Sequence, residues 1–167
     1  MAVLCLGKNN YDIRMESFVG LEGKEETLVD FRGLRLIGRE RFLNGSLFIS
    51  IDMANDILIF TRFFTFENIG WVQSLYSLNG VPFCEFVENF LLPYADPAYA
   101  ITNLPNTSSS YCPLSKGEYW IINGMTNTDK WVSYMKRGLI RLTLQFFKDG
   151  KSVGGLEIVG NIIDRIS

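Results

Sequence analysis

Three carboxylate pairs are the residues of this sequence best spaced for acid–base work: Glu25 with Glu26, Asp52 with Asp56, and Glu85 with Glu88. Two acids in one site can divide general-acid and general-base roles when their surroundings split their pKa values. Glu85 and Glu88, however, fall on the wet side of a predicted helix, and Glu25–Glu26 fall in a polar turn. Solvated charge accounts for each pair. The 167 residues contain no histidine, which removes imidazole bases and every His-ligated metal. Ser115–Lys116 is the remaining nucleophile–base combination, and adjacent residues of a strand point to opposite faces. No glycine-rich phosphate loop is present. Cys5, Cys84 and Cys112 are widely spread, with no CxxC pair, and make no zinc site by themselves. The expectation is a protein that is not an enzyme and needs no metal or cofactor.

Sixteen Lys and Arg against eighteen Asp and Glu give a net charge of −2, which argues against a nucleic-acid partner. Arg32, Arg35, Arg39 and Arg41 form a local basic cluster that could meet an anionic headgroup. Asp30, Glu40 and the acidic turn before them favour a solvated strand face instead. Asn44-Gly45-Ser46 and Asn106-Thr107-Ser108 match the N-glycan acceptor pattern, Asn106 in a loop and Asn44 where turn geometry already explains it. No apolar run approaches the ~20 residues that span a bilayer. Met1–Gly7 is apolar and ends abruptly at Lys8; it reads as a truncated signal-peptide remnant or as a first edge strand. As a remnant it takes Cys5 with it, leaving two cysteines, the number one disulfide of an exported chain requires. The other reading is three free buried thiols. Residues 8–167 are of a size for a single domain.

The elements that must position these residues are mostly strands. Ile140, Leu142, Leu144 and Phe146 alternate with polar residues and lead into Asp149-Gly150, a type I′ turn signature, with Leu156, Ile158 and Ile162 on the return. Tyr11, Ile13 and Met15 give an early strand. A second hairpin is predicted to turn at Asn44-Gly45, with Leu47, Ile49, Ile51 and Met53 on one face and Phe48 on the other. From Pro82, the residues Phe83, Phe86, Val87, Phe90 and Leu91 form one apolar stripe, predicting a helix over Pro82–Leu92 that stops at Pro93. Thr128–Met135 carries a weaker helical pattern, and Tyr94–Pro113 reads as loop. The predicted fold is an all-β antiparallel sandwich with one short inserted helix.

Ile57–Phe66 differs from the other strands in being apolar on both faces. Ile57, Ile59 and Phe63 already suffice for a core, so the opposite face is surplus. We therefore expect an apolar cavity between the sheets, lined by Phe60, Phe64 and Phe66, with Trp71, Trp120 and Phe146 nearby and Arg62 at its mouth. The competing expectation is that the Phe83–Phe90 helix covers this face.

Tyr111-Cys112-Pro113-Leu114-Ser115-Lys116-Gly117-Glu118-Tyr119, preceded by Thr102-Asn103-Leu104-Pro105, resembles the Cys-Pro-x-x-x-Gly-x-Tyr element of secreted insect chemosensory proteins of the CheA type. Trp131, Gly138-Leu139-Ile140-Arg141 and the arginine-rich Gly38–Gly45 stretch are similar too, so the likeness runs from about Tyr11 onward. That family is similar in fold to ML-type lipid-recognition domains, such as ganglioside activators, whose two sheets part to admit lipid tails. The resemblance implies a Cys84–Cys112 disulfide and an extracellular, non-catalytic binder or carrier of lipid-like or other apolar small molecules. It also implies a place in taste or pheromone perception, with a sensory receptor as partner. The sequence has fewer cysteines than the ganglioside activators, so no ligand-contacting residue is carried over from them. The alternative function is a secreted protein–protein interaction sandwich with no ligand cavity.

Overall fold

Alternating strands with one wet face must pair and then bury their apolar sides against each other. In the computed structural model, which describes residues 9–95 and 100–166, they do so as two antiparallel sheets. Met1–Gly7, and Cys5 with it, lie outside the described residues. The first sheet orders β1 (Tyr11–Leu21), β10 (Lys151–Asp164), β9 (Gly138–Lys148), β5 (Leu58–Glu67) and β6 (Gly70–Pro82). The second orders β2 (Val29–Asp30), β4 (Phe42–Ile49), β8 (Gly117–Gly124) and β7 (Ile101–Thr102), and β3 (Leu34–Ile37) also pairs with β4. The protein is an all-β sandwich.

The β9–β10 hairpin turns at Asp149-Gly150 with both residues at positive φ, as the type I′ signature requires. The second hairpin turns elsewhere than predicted. Gly38 and Arg41 take positive φ, and Arg41 N–H donates to the Gly38 carbonyl, so the reversal lies between β3 and β4. Asn44-Gly45 sits inside β4, at a bulge against β8 between Leu43 and Gly45. A Cβ at Gly45 would lie 2.0 Å from the Gly33 carbonyl oxygen, so close approach of two backbones, not a tight turn, accounts for this glycine. Gly154 is a second such contact. Its Cβ would lie 1.9 Å from the Val29 carbonyl oxygen, and its φ of +137° is one that L side chains rarely adopt. The bulge there lets β2, of the second sheet, cross against β10, of the first.

The predicted helix forms and runs further than expected. It is an α-turn at Phe83–Phe86, a π-helical turn at Val87–Leu91 and a last α-turn at Leu92–Ala95. Pro93 therefore lies inside the helical segment and does not end it. The wider π turn just before it gives the proline ring room and removes the need for its missing N–H. Pro82 fixes the entry, Phe83 N–H donates to the Ile57 carbonyl, and the Asn55 side chain accepts from Cys84 N–H. Phe83, Phe86 and Val87 are buried, Phe90 and Leu91 partly so. Thr128–Met135 holds turns and no helix.

Cys84 and Cys112 form a disulfide, with Cα atoms 5.8 Å apart. It ties the first helical turn to the 3₁₀ turn Ser108–Tyr111 just ahead of Cys112. Bonds of this kind belong to oxidising compartments. Among the described residues, no helix is long and apolar enough to cross a membrane.

Candidate functional site

The inner faces of the two sheets follow from register. Ile59 opposes Phe146, Thr61 opposes Leu144, and Leu144 opposes Leu156 on its other side, which places these residues on one face of the first sheet. Ile59, Leu144 and Phe146 are buried, as are Leu47 and Ile49 of β4. Between the two faces lies a cavity of about 250 Å³. Phe18, Leu144 and Phe146 contribute from the first sheet, Leu47, Ile49 and Ile121 from the second, and Phe83, Phe86 and Leu91 from the helix.

Among the described residues the lining is apolar except for Thr102, Thr126 and Tyr111, and none of them is charged. Met125 and Ala95 are the exposed residues of the wall, one in the chain leaving β8 and the other at the end of the helix. The disulfide braces this wall: Phe83 and Phe86 flank Cys84, Tyr111 and Leu114 flank Cys112, and all four line the cavity. Met53, another lining residue, is bridged to Leu114 by reciprocal backbone hydrogen bonds of 2.8 and 2.9 Å.

Of the residues expected at the cavity, Phe146 lines it. Phe60, Arg62, Phe64 and Phe66 do not, because pairing with β9 turns the Ile57, Ile59, Thr61 and Phe63 side of β5 inward. Trp71 opposes Phe66 on the same outer side, and Trp120 is exposed on the outer side of β8, whose Ile121 points in. Nor does the helix cover the Phe60–Phe66 face. Its apolar side chains are covered within their own sheet: Phe60 by Phe147 at 4.6 Å, Phe66 by Trp71 at 5.3 Å, and Phe64 by the Arg141 guanidinium. Arg62, expected at the mouth, donates instead to the Asn79 side chain and the Thr61 carbonyl.

The wall residues that sequence reasoning passed over were carried by signals already visible. Leu47, Ile49, Leu144, Leu156 and Ile158 are the dry side of clean alternations. The two-faced strand β5 is not the one that supplies most of the wall. Several of the remaining polar candidates have partners of their own. Arg32 bridges Glu22 and Asp30 at 2.8 and 3.0 Å, Arg41 pairs with Glu16, and Glu25 pairs with Lys151. The Asp52 side chain accepts from Lys116 N–H, and Glu85 and Glu88 are exposed. Among the described residues, no three His, Cys, Asp or Glu side chains are grouped to hold a metal. Asn44 uses both ends of its amide, donating to Phe42 and accepting from Asn123, whereas Asn106 is exposed.

Fold and site together define a class: a two-sheet antiparallel sandwich, braced by a disulfide, with an apolar cavity between its sheets. A comparison with family models gives no match for the chain, and no curated protein matches it either.

Proposed function

We propose that this protein is a secreted, non-catalytic binder or carrier of an apolar small molecule held between the two sheets. The observation that carries this reading is the cavity itself, about 250 Å³ and lined, among the described residues, without charge. An apolar cavity of ~150 Å³ is already enough to take up benzene and stay dry. A lining without charge favours a neutral apolar body, with any polar end of the ligand left at the exposed part of the wall near Met125. The disulfide fits an extracellular setting, where the exposed Asn106 would be available for a glycan. The resemblance to CheA-type chemosensory proteins and ML-like domains points the same way, toward lipid-like ligands presented to a sensory receptor.

Native mass spectrometry of protein purified from a secreting host tests the reading directly. A carrier is expected to show an added mass that organic extraction removes, and to bind an apolar naphthylamine dye in competition with fatty acids or long-chain alcohols. An unliganded protein that binds neither dye nor lipid overturns it.

One observation favours a second reading, a protein–protein interaction domain. Phe48, Trp120, Ile122 and Ile101 are 45%, 39%, 44% and 61% exposed on neighbouring strands of the second sheet, a contiguous apolar surface. On that reading the cavity stays empty and replacing Trp120 by Ala abolishes partner binding; on the carrier reading that replacement leaves dye binding unchanged.

A further inference from the structure

The outer face of the first sheet holds a cation without a counter-ion. The Arg141 guanidinium lies 4.3 Å from the Phe64 ring centre and 4.8 Å from that of Trp71. Its Nε is buried and has no acceptor, and the side chain makes no hydrogen bond or ion pair among the described residues. The two rings hold the group against the sheet, with its Nε buried beneath them. The terminal N–H groups of the guanidinium are the donors a ligand from outside can reach.

Arg62 stands close by, with its Nη1 donating to the Thr61 carbonyl and the Asn79 side chain and its Nη2 and Nε as the further donors. It opposes Thr143, two residues along β9 from Arg141, so the two arginines are diagonal neighbours at roughly 7–8 Å on one face. Arg14 shares this face and pairs with Glu16 at 3.8 Å. Of the acids there, Asp12 is held by Arg165 at 2.9 Å, and Glu157 accepts from Thr143.

We propose that this face is an oxyanion site that takes a phosphate group, with Arg141 as anchor and Arg62 as second donor. Pinned guanidinium groups match phosphate oxygens in bidentate fashion, and a tetrahedral dianion can accept from two of them at once. The rings of Phe64 and Trp71 hold the anchor in place before the ligand arrives, so little side-chain entropy is lost on binding. The phosphate can come from a soluble ester or from a lipid headgroup. The site lies on the other side of the sheet from the cavity, so its failure leaves the carrier reading standing.

Two probes separate the sources: sodium phosphate titrated at constant ionic strength, and flotation with phosphatidylcholine vesicles with and without phosphatidic acid. Wild-type protein is expected to bind at least one of them saturably. Arg141→Met keeps an apolar stem against the rings but removes the donors, and is expected to weaken binding roughly tenfold or more. Arg141→Lys keeps the charge, loses the fork and falls between the two; Arg62→Gln weakens binding less than Arg141→Met. Binding of free phosphate assigns a soluble ester, and binding confined to phosphatidic acid vesicles assigns a headgroup. If wild type binds neither probe, or if folded Arg141→Lys and Arg62→Gln both bind as wild type does, the site is overturned.

Discussion

Enlarging a side chain of the cavity wall is expected to stabilise this protein, the reverse of its effect in a filled core. Leu47, from β4, and Leu144, from β9, are 4% and 8% exposed and line the cavity from opposite sheets. At ~24 cal/mol per Å³, the cost found when cores are hollowed out, an empty 250 Å³ space corresponds to about 6 kcal/mol. That is an upper limit, because the cavity is not closed off from solvent. It is still comparable with the whole stability of an ordinary domain, about 5–15 kcal/mol. Leu47→Phe or Leu144→Phe adds carbon atoms at about 0.8 kcal/mol each when buried, less the entropy of ordering the ring, for a net gain near ~1 kcal/mol. For a chain of this length that is a rise of roughly 2–4 °C in Tm. The same substitution in a tightly filled core costs ~1–3 kcal/mol. Thermal unfolding followed by circular dichroism reads the sign, and titration with an apolar naphthylamine dye reads the cavity. Combining the two substitutions is expected to raise Tm further and abolish dye binding. A Tm lowered by several degrees in both single variants would refute the reasoning, because it would mean the wall has no room.

Removing the disulfide by Cys84→Ser with Cys112→Ser is expected to cost about 3–4 kcal/mol, from a separation of 28 residues, and to weaken dye binding because the bond braces four wall residues. Denaturant unfolding checks the first effect; unchanged dye affinity would deny the second. Gly154→Ala places a Cβ 1.9 Å from the Val29 carbonyl and is expected to destabilise by more than about 2 kcal/mol, whereas Gly150→Ala, in open space, costs less. The pH profile of stability is expected to fall at both ends. Hydrogen bonds from Arg32 hold the Asp30 carboxyl below its ordinary value, and Lys136 does the same for Glu67. Below a pH of about 4 the unfolded chain takes up protons that these folded groups resist, so stability declines as pH drops through that range. Burial raises the Tyr11 and Tyr119 phenols, so their contribution is complete below a pH of about 10 and declines above it as the unfolded phenols ionise. Urea titrations across pH test both limbs, and a flat profile contradicts the assigned ion pairs.

The sequence by itself determined the elements whose signal is local. Alternation in Ile140–Phe146 and the Asp149-Gly150 turn specify the β9–β10 hairpin, and the Phe83–Leu91 stripe specifies the helix, because period and turn chemistry are properties of neighbouring residues. β6 escaped this kind of reading. Its register slips between Gln73 and Ser77, where Leu75 and Tyr76 bulge into solvent, and the bulge breaks the alternation that marks a strand. Only the tertiary structure decided which side of β5 faces inward. Both sides are apolar, so the choice rests on pairing with β9, where Ile59 meets Phe146 and carries Phe60 and Phe64 outward. The same holds for Asn44-Gly45, whose glycine answers to a distant backbone at Gly33 and not to a turn. The cavity is decided at that level as well, since its volume is set by how two sheets and a helix meet, and strands far apart in the chain carry no record of the distance between them.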